Sequence, residues 1–437
     1  MQSHTTRRTL SAGLLLLVLL LAGNAKPSSA TPKLVFAHYM LWVPSTSDDV
    51  SGFITDIKMA QAAGIDGFAI NTADWSAVNW AIPRCDKIWE AAETLNSGFQ
   101  LFFSVDLTGS LGNMAGDIVA MAARYANRPN TLKVDGKVFL STFVGQDKTF
   151  GYPTPQQGWD QAVLTPLRNQ GVPVSDVFAE FPFLDGIYQW SAWPFFYGNL
   201  QTVSNQADVN YLYSRRDFHF AAVRAHGKSY MAPISPWFSK HMAGAPVTLP
   251  NWVFGNYKGP GMWIDHWNSL IALQPDFVEI VTWNDYPERT YIGPTTAPWG
   301  DDDDVTFPHL GFLDLTKYFV HAYKSGQYPN IDQEKVYVFY RSSSKYAVAS
   351  NDPLGPIQNS QSMDDNIYVV TLLNSPADVI VTSGSSSGRF SVNGGLKNVT
   401  MAFQQGAQVL GQKTFAKQIS NNIAVYDFNV FSDVLVL

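Results

Sequence analysis

From residue 34 to about residue 324 the chain alternates short apolar runs with amphipathic stretches of helical period. Runs at 34–37, 67–70, 100–105, 138–142, 177–179, 186–190, 230–233 and 277–282 read as buried strands. Stretches at 50–63, 84–95, 115–125, 159–169, 208–225, 264–273 and 313–324 read as helices. In the first helix Phe53, Ile57, Ala60 and Ala63 recur on one face. Strands that alternate with helices pair in parallel through right-handed crossovers. Eight such units in roughly 300 residues predict a (β/α)8 TIM-type barrel with insertions.

After Pro329 the pattern changes. Short strands are predicted at 336–340, 366–373, 377–382, 389–392, 399–403 and 423–428, with Ser/Gly/Asn/Asp turns between them. Ile367 to Thr371 alternates strictly. This is the pattern of a small all-β sandwich. At the other end, Arg7 and Arg8 precede an apolar run at 14–21 and then small residues. That order is a secretory signal, with cleavage after Ala25 or Ala30, and the run is too short for a membrane span. The expected organisation is a signal peptide over 1–30, a barrel over 31–330 and a β-sandwich over 331–437. The mature chain is expected to be secreted, off the membrane and monomeric.

Composition removes several function classes. The net charge of -7 disfavours a nucleic-acid partner. One cysteine, Cys85, excludes an intrachain disulfide framework and a thiolate metal site, and it reads as a small buried hydrophobe. The histidines have no metal spacing, and the acidic run at 301–304 reads as a solvated loop, so no metal and no cofactor are expected. No Gly-X-Ser-X-Gly elbow and no Gly-rich phosphate loop follow a strand. What stands out is 13 Trp, 19 Tyr and 28 Phe against only 15% charged residues. Those rings must fill a core or line a cleft.

A barrel of this type keeps its active site at the C-terminal ends of its strands. The residues expected there are His38 after strand one, Asn71, Asp74 and Trp75 after strand two, and Asp106 after strand three. Glu180, Trp190, Trp193, Trp237, Trp283, Asn284, Asp285, Tyr286 and Glu288 follow the later strands. Flat rings suit the C–H faces of sugars, and paired carboxylates supply the acid and base of glycoside cleavage. The strongest local pattern is the run Val281-Thr282-Trp283-Asn284-Asp285-Tyr286-Pro287-Glu288. A strand runs straight into two carboxylates three residues apart, and Pro287 keeps Tyr286 out of the helical region. The same spacing also fits a helix N-terminus with Asp285 as cap and Glu288 completing a box.

These residues resemble glycoside hydrolase family 71, the fungal α-1,3-glucanases called mutanases. The resemblance is carried in order by Val35-Phe36-Ala37-His38-Tyr39, Gly64 to Asn71, Leu101 to Asp106, Ser235-Pro236-Trp237-Phe238 and Gln274 to Tyr286. It continues in Tyr291-Ile292-Gly293-Pro294, and Tyr426-Asp427-Phe428-Asn429 of the tail is similar too. It implies a barrel with an accessory β-sandwich and metal-independent, inverting hydrolysis of α-1,3-glucan. It implies Asp285 and Glu288 as the catalytic carboxylates, in either order of acid and base. Asp74 matches an essential acid after strand two, and Asp106 matches the strand-three Asp. His38, Asn71, Asp74, Asp106, Trp190, Trp237, Trp283, Asn284 and Tyr286 are then the expected substrate-binding set. Three departures flank the site. Pro287 replaces the usual Gly, Arg289-Thr290 replaces a Ser-His pair, and Val253 to Lys258 replaces an Arg-Gly-Asp-Asp type run. Two other readings stay open from the residues alone: a non-catalytic wall-binding protein on this scaffold, and a glycosidase for a different α-glucan.

Overall fold

A computed structural model describes residues 33–173, 185–193 except 189 and 191, 206–242, 251–253, 259–294, 307–383 except 361 and 362, 386–399 except 394, and 413–437 except 416. The expected signal segment, the strand at 177–179, Glu180 and the acidic run at 301–304 lie outside the described residues. Residues Lys33–Leu437 form one compact unit.

The barrel half reads, in chain order, β1 (Leu34–Met40), α1 (Val50–Ala62), β2 (Gly67–Thr72), α2 (Ala81–Leu95), β3 (Gln100–Asp106) and α3 (Ala115–Tyr125). A two-residue ribbon of β4 (Lys133–Val134) and β5 (Lys137–Val138) leads into β6 (Leu140–Phe143). Then come α4 (Pro155–Trp159), a π turn at Asp160–Leu164 and α5 (Thr165–Asn169). These are followed by β7 (Gly186–Tyr188), α6 (Gln206–Ala225) and β8 (Ser229–Ile234). A small antiparallel hairpin, β9 (Ser239–His241) with β10 (Asn251–Val253), precedes α7 (Pro260–Leu273) and β11 (Phe277–Ile280). The last helix is α8 (Leu310–Ser325).

Seven strands form one sheet in the order β6-β3-β2-β1-β11-β8-β7. Every pairing in it is parallel. The first strand pairs with both the second and the last, Leu34 facing Phe277 and Met40 facing Asn71. That closure of first on last is the cyclic order of a (β/α)8 barrel, and the chain has that fold. The sequence places each element, and the termini follow local chemistry. Asp49 caps α1 by accepting from the Gly52 N–H at 2.8 Å. Asn96 ends α2 and Gly326 ends α8 in left-handed conformation.

Strand alternation sorts side chains into two separate layers. Val35, Ala37, Tyr39, Phe68, Ile70, Leu101, Phe103, Ala232, Ile234, Val278 and Ile280 join the cluster against the helices. Phe36, Ala69, Phe102, Met231 and Phe277 form a distinct cluster inside the barrel. His38, Asn71, Ser104 and Glu279 sit two residues further along the same inward faces. The inward stack is therefore apolar at its base and polar above.

The C-terminal region is all β. A four-stranded antiparallel sheet has the order β16 (Gly395–Val399), β13 (Tyr368–Leu373), β12 (Lys335–Arg341), β17 (Val430–Val436). A second ribbon pairs β14 (Ala377–Ser383) with β15 (Ser386–Val392). One expectation is corrected here. Residues 423–428 are irregular, and the strand is Val430–Val436, paired antiparallel with all of β12. The 423–428 segment instead lies beside 350–352, with Ser350 N–H donating to the Ile423 carbonyl at 3.0 Å. Helix α8 packs on this sheet at a close approach. A Cβ on Gly311 would stand 3.0 Å from the Phe339 ring. Among the described residues, no helix is long and apolar enough to cross a membrane.

Candidate active site

The exit of β11 is built as a tight hydrogen-bonded excursion. Val281 N–H donates to the Ile234 carbonyl of β8 at 2.8 Å, and Trp283 N–H donates to the His38 carbonyl of β1 at 2.7 Å. The loop returns through Thr282 N–H to the Thr290 carbonyl at 2.9 Å and Gly293 N–H to the Trp283 carbonyl at 2.8 Å. Inside it, Asp285 N–H donates to the Thr282 hydroxyl at 2.8 Å, and Asp285 Oδ1 accepts from Glu288 N–H at 3.1 Å. So Asp285 does act as a cap, but of a single turn: among the described residues no helix follows until α8. Arg289 completes the turn with a φ of +58°. Asp285 is 7% exposed, and the Glu288 side chain is 22% exposed. The two carboxylates are thus held on one turn at the barrel's strand-exit end.

Glu288 has a partner that sequence reasoning missed. Lys240 Nζ, from the β9 hairpin, donates to Glu288 Oε1 at 2.7 Å. The hairpin itself is tied to the same loop, since Ser239 N–H donates to the Glu288 carbonyl at 3.0 Å. Lys240 has no local motif, and only the return of the chain between β8 and α7 brings it here.

Glu279 was missed as well. It is fully buried on β11, and Oε1 lies 2.6 Å from His38 Nδ1. Tyr188 of β7 faces the same carboxylate; burial first and the Glu279 charge second push its hydroxyl pKa well up. The Trp190 ring meets the His38 ring edge-on at 4.6 Å. A signal was present in the sequence: Glu279 is the lone acid of an apolar strand, on the inward parity of Phe277.

The other expected residues divide. Asn71 is buried at the β2 exit. Asp74 Oδ1 accepts from Ser110 N–H at 3.1 Å, which ties the loops after β2 and β3 together. Gly109 makes that approach feasible, because a Cβ there would lie 2.6 Å from the Ala73 carbonyl oxygen. Asp106 Oδ1 accepts from the Thr108 N–H at 2.9 Å and hydroxyl at 2.6 Å, a turn that ends β3. Trp190 is half-buried over His38.

Four expected binding residues have packing roles here instead. Trp283 is fully buried against Phe68 and Gly293, on the helix side of its strand exit. Asn284 is fully buried and clips β11 to the β1 exit, accepting from Met40 N–H at 2.7 Å and donating to the Val43 carbonyl at 2.5 Å. Tyr286 is buried with Val43 and Tyr291. Trp237 donates from Nε1 to the Phe428 carbonyl at 2.9 Å, so its ring serves the seam with the β region. Trp75 and Trp193 are also buried, whereas Trp42 is 44% exposed beside the β1 exit. Adjacent residues at a strand exit point to opposite sides of the wall, so proximity to the exit alone does not decide which rings face the cleft.

The model of glycosyl hydrolase family 71 matches residues 31–434, and the chain belongs to that family. A glucan endo-1,3-alpha-glucosidase of Schizosaccharomyces pombe is 34% identical over 448 residues, covering 96% of this chain and 99% of that one. A mutanase of Penicillium rubens is 32% identical over 92% of this chain and 89% of its own length. An ascus wall endo-1,3-alpha-glucanase of Schizosaccharomyces pombe is 29% identical over 87% of this chain and 88% of its own.

Proposed function

We propose that this protein is a secreted enzyme that hydrolyses α-1,3-glucan, in fungal wall or in bacterial mutan, with inversion at the anomeric carbon. Asp285 and Glu288 are its acid and base. One carboxyl protonates the leaving glycosidic oxygen, and the other takes a proton from the water that attacks the opposite face of the sugar. The observation that carries this reading is the single turn after β11, which holds Asp285 and Glu288 together at the strand-exit end of the barrel. The relatives' names support the substrate. Asp74, Asp106, Asn71 and Trp190 surround the same end and are the groups proposed to receive the chain. His38 supports the site from below through Trp190.

The test is product analysis on insoluble α-1,3-glucan. Wild type should release reducing sugar, and Asp285→Asn and Glu288→Gln should each lose about 10²–10⁴-fold in kcat. Wild type that binds the polymer but releases nothing would favour a wall-binding protein instead. Hydrolysis of a different α-glucan in preference would reassign the linkage. Secretion is checked by N-terminal sequencing of protein from culture medium, with Lys26 or Thr31 expected as the first residue.

A further inference from the structure

Hairpin β9–β10, which brings Lys240 to Glu288, is locked by the next residue along, His241, and hydrogen-bond bookkeeping settles that residue's charge. Asn251 Nδ2 faces three carbonyl oxygens, those of Leu354 and Gly355 at 3.2 Å and Pro356 at 3.0 Å. Carbonyls only accept, so this end of the amide must be the NH2. The oxygen end, Oδ1, therefore faces His241 Nδ1 at 2.7 Å, and Nδ1 must donate. On the other side His241 Nε2 lies 2.7 Å from Asp352 Oδ2. That carboxylate already accepts from Tyr426 N–H at 2.7 Å and Leu354 N–H at 2.9 Å, so it is an acceptor here too and Nε2 must donate. Both ring nitrogens carry hydrogen, and that is an imidazolium.

The surroundings agree. The His241 and Asp352 side chains are 10% and 1% exposed, so the pair is shielded from solvent. Burial works to raise the Asp352 pKa, but the Tyr426 and Leu354 N–H groups and His241 outweigh it and hold the carboxyl below its ordinary range. Among the described residues, the titratable groups facing His241 are Asp352, from the loop after β12, and Tyr426, whose ring is 6.4 Å away. Lys240, next on the same strand, faces Glu288. Beyond Glu288, Arg289 lies 4.0 Å from Asp427.

We propose that His241, as an imidazolium clamped between Asn251 and Asp352, positions the β9 hairpin so that Lys240 holds Glu288 for reaction. This rests on the reading of Glu288 as a catalytic carboxyl. Without the hydrogen on Nδ1, two acceptors would face each other at the Asn251 contact. Asn251 cannot turn over, because its NH2 is committed to three carbonyls, so the hairpin must shift and Lys240 shifts with it.

Two measurements test this on the full chain. In 15N-histidine NMR, with the His241 signals assigned by their loss in His241→Gln, both ring nitrogens should be protonated at the pH of full activity. A non-protonated ring nitrogen at that pH overturns the inference, whatever the enzyme's substrate. In kinetics on α-1,3-glucan, Asp352→Asn should lower kcat about tenfold while KM stays within about twofold of wild type, because the clamp acts on Glu288 and not on substrate binding. An unchanged kcat overturns the coupling. Asp285→Asn and Glu288→Gln check the catalytic reading separately. If they retain turnover, that reading fails while the NMR result still decides the charge of His241. If Asp352→Asn does not fold, the wild-type NMR spectrum alone decides.

Discussion

Asp56 shows how one residue behind the site ties stability to pH. It lies on α1, almost wholly buried, and accepts from the Tyr39 hydroxyl at 2.8 Å. Burial pushes its pKa up to about 7, against the opposing pull of the Tyr39 hydrogen bond. The folded value is above the unfolded one, so its contribution is complete below the ordinary carboxylate range and is lost as pH rises through about 7. Wild type should therefore lose a few kcal/mol of stability between about pH 4 and pH 7 from this group. Asp56→Asn should remove that slope, as read by urea unfolding at several pH values. A slope unchanged in the variant would show that Asp56 is not protonated on folding.

At the scale of elements, the strand-exit loop of β11 depends on one missing side chain. A Cβ on Gly293 would stand 2.5 Å from the Trp283 ring, which is fully buried. Gly293→Ala should cost about 1–3 kcal/mol as overpacking, and more if the loop cannot relax. Because the loop carries both carboxylates, kcat on α-1,3-glucan should fall with it. Denaturant unfolding and kinetics on the same preparation check both parts, and a variant as stable and active as wild type would show that the loop yields. The hairpin β9–β10 is the second supporting element. Its described residues pair three deep, and its position comes from what it touches: Glu288 on one side and the 352–358 segment on the other.

At the scale of the molecule, barrel and β region share buried structure. His309 bridges the Tyr291 carbonyl at 2.6 Å and Asn429 at 3.0 Å, Trp237 reaches the Phe428 carbonyl, and Phe312 packs on Phe339 with ring centroids 4.8 Å apart. Contacts this extensive and apolar couple the two parts energetically. Calorimetry of the mature protein should show one unfolding transition. Two well-separated transitions would show that the β region folds on its own and only decorates the barrel.

The sequence by itself determined the elements and the place of the site. Apolar runs of period two and amphipathic runs of period 3.6 are local properties, so strands such as Gln100–Asp106 and helices such as Ala115–Tyr125 were legible without partners. Their alternation also set the barrel and pointed to Asp285 and Glu288 at a strand exit. Local pattern failed in the tail, where the apolar run at 423–428 reads as a strand but β12 pairs with Val430–Val436 instead. Only the tertiary structure decided which side of the wall each exit residue faces. It turned Trp283 and Trp237 into core and left Trp190 over His38. It alone joined His38 to Glu279, 241 residues away, and Lys240 to Glu288, 48 away. Those pairings follow from barrel closure and from a hairpin folding back. A side chain's own sequence carries its charge and reach, but its partner is chosen by the path of the whole chain.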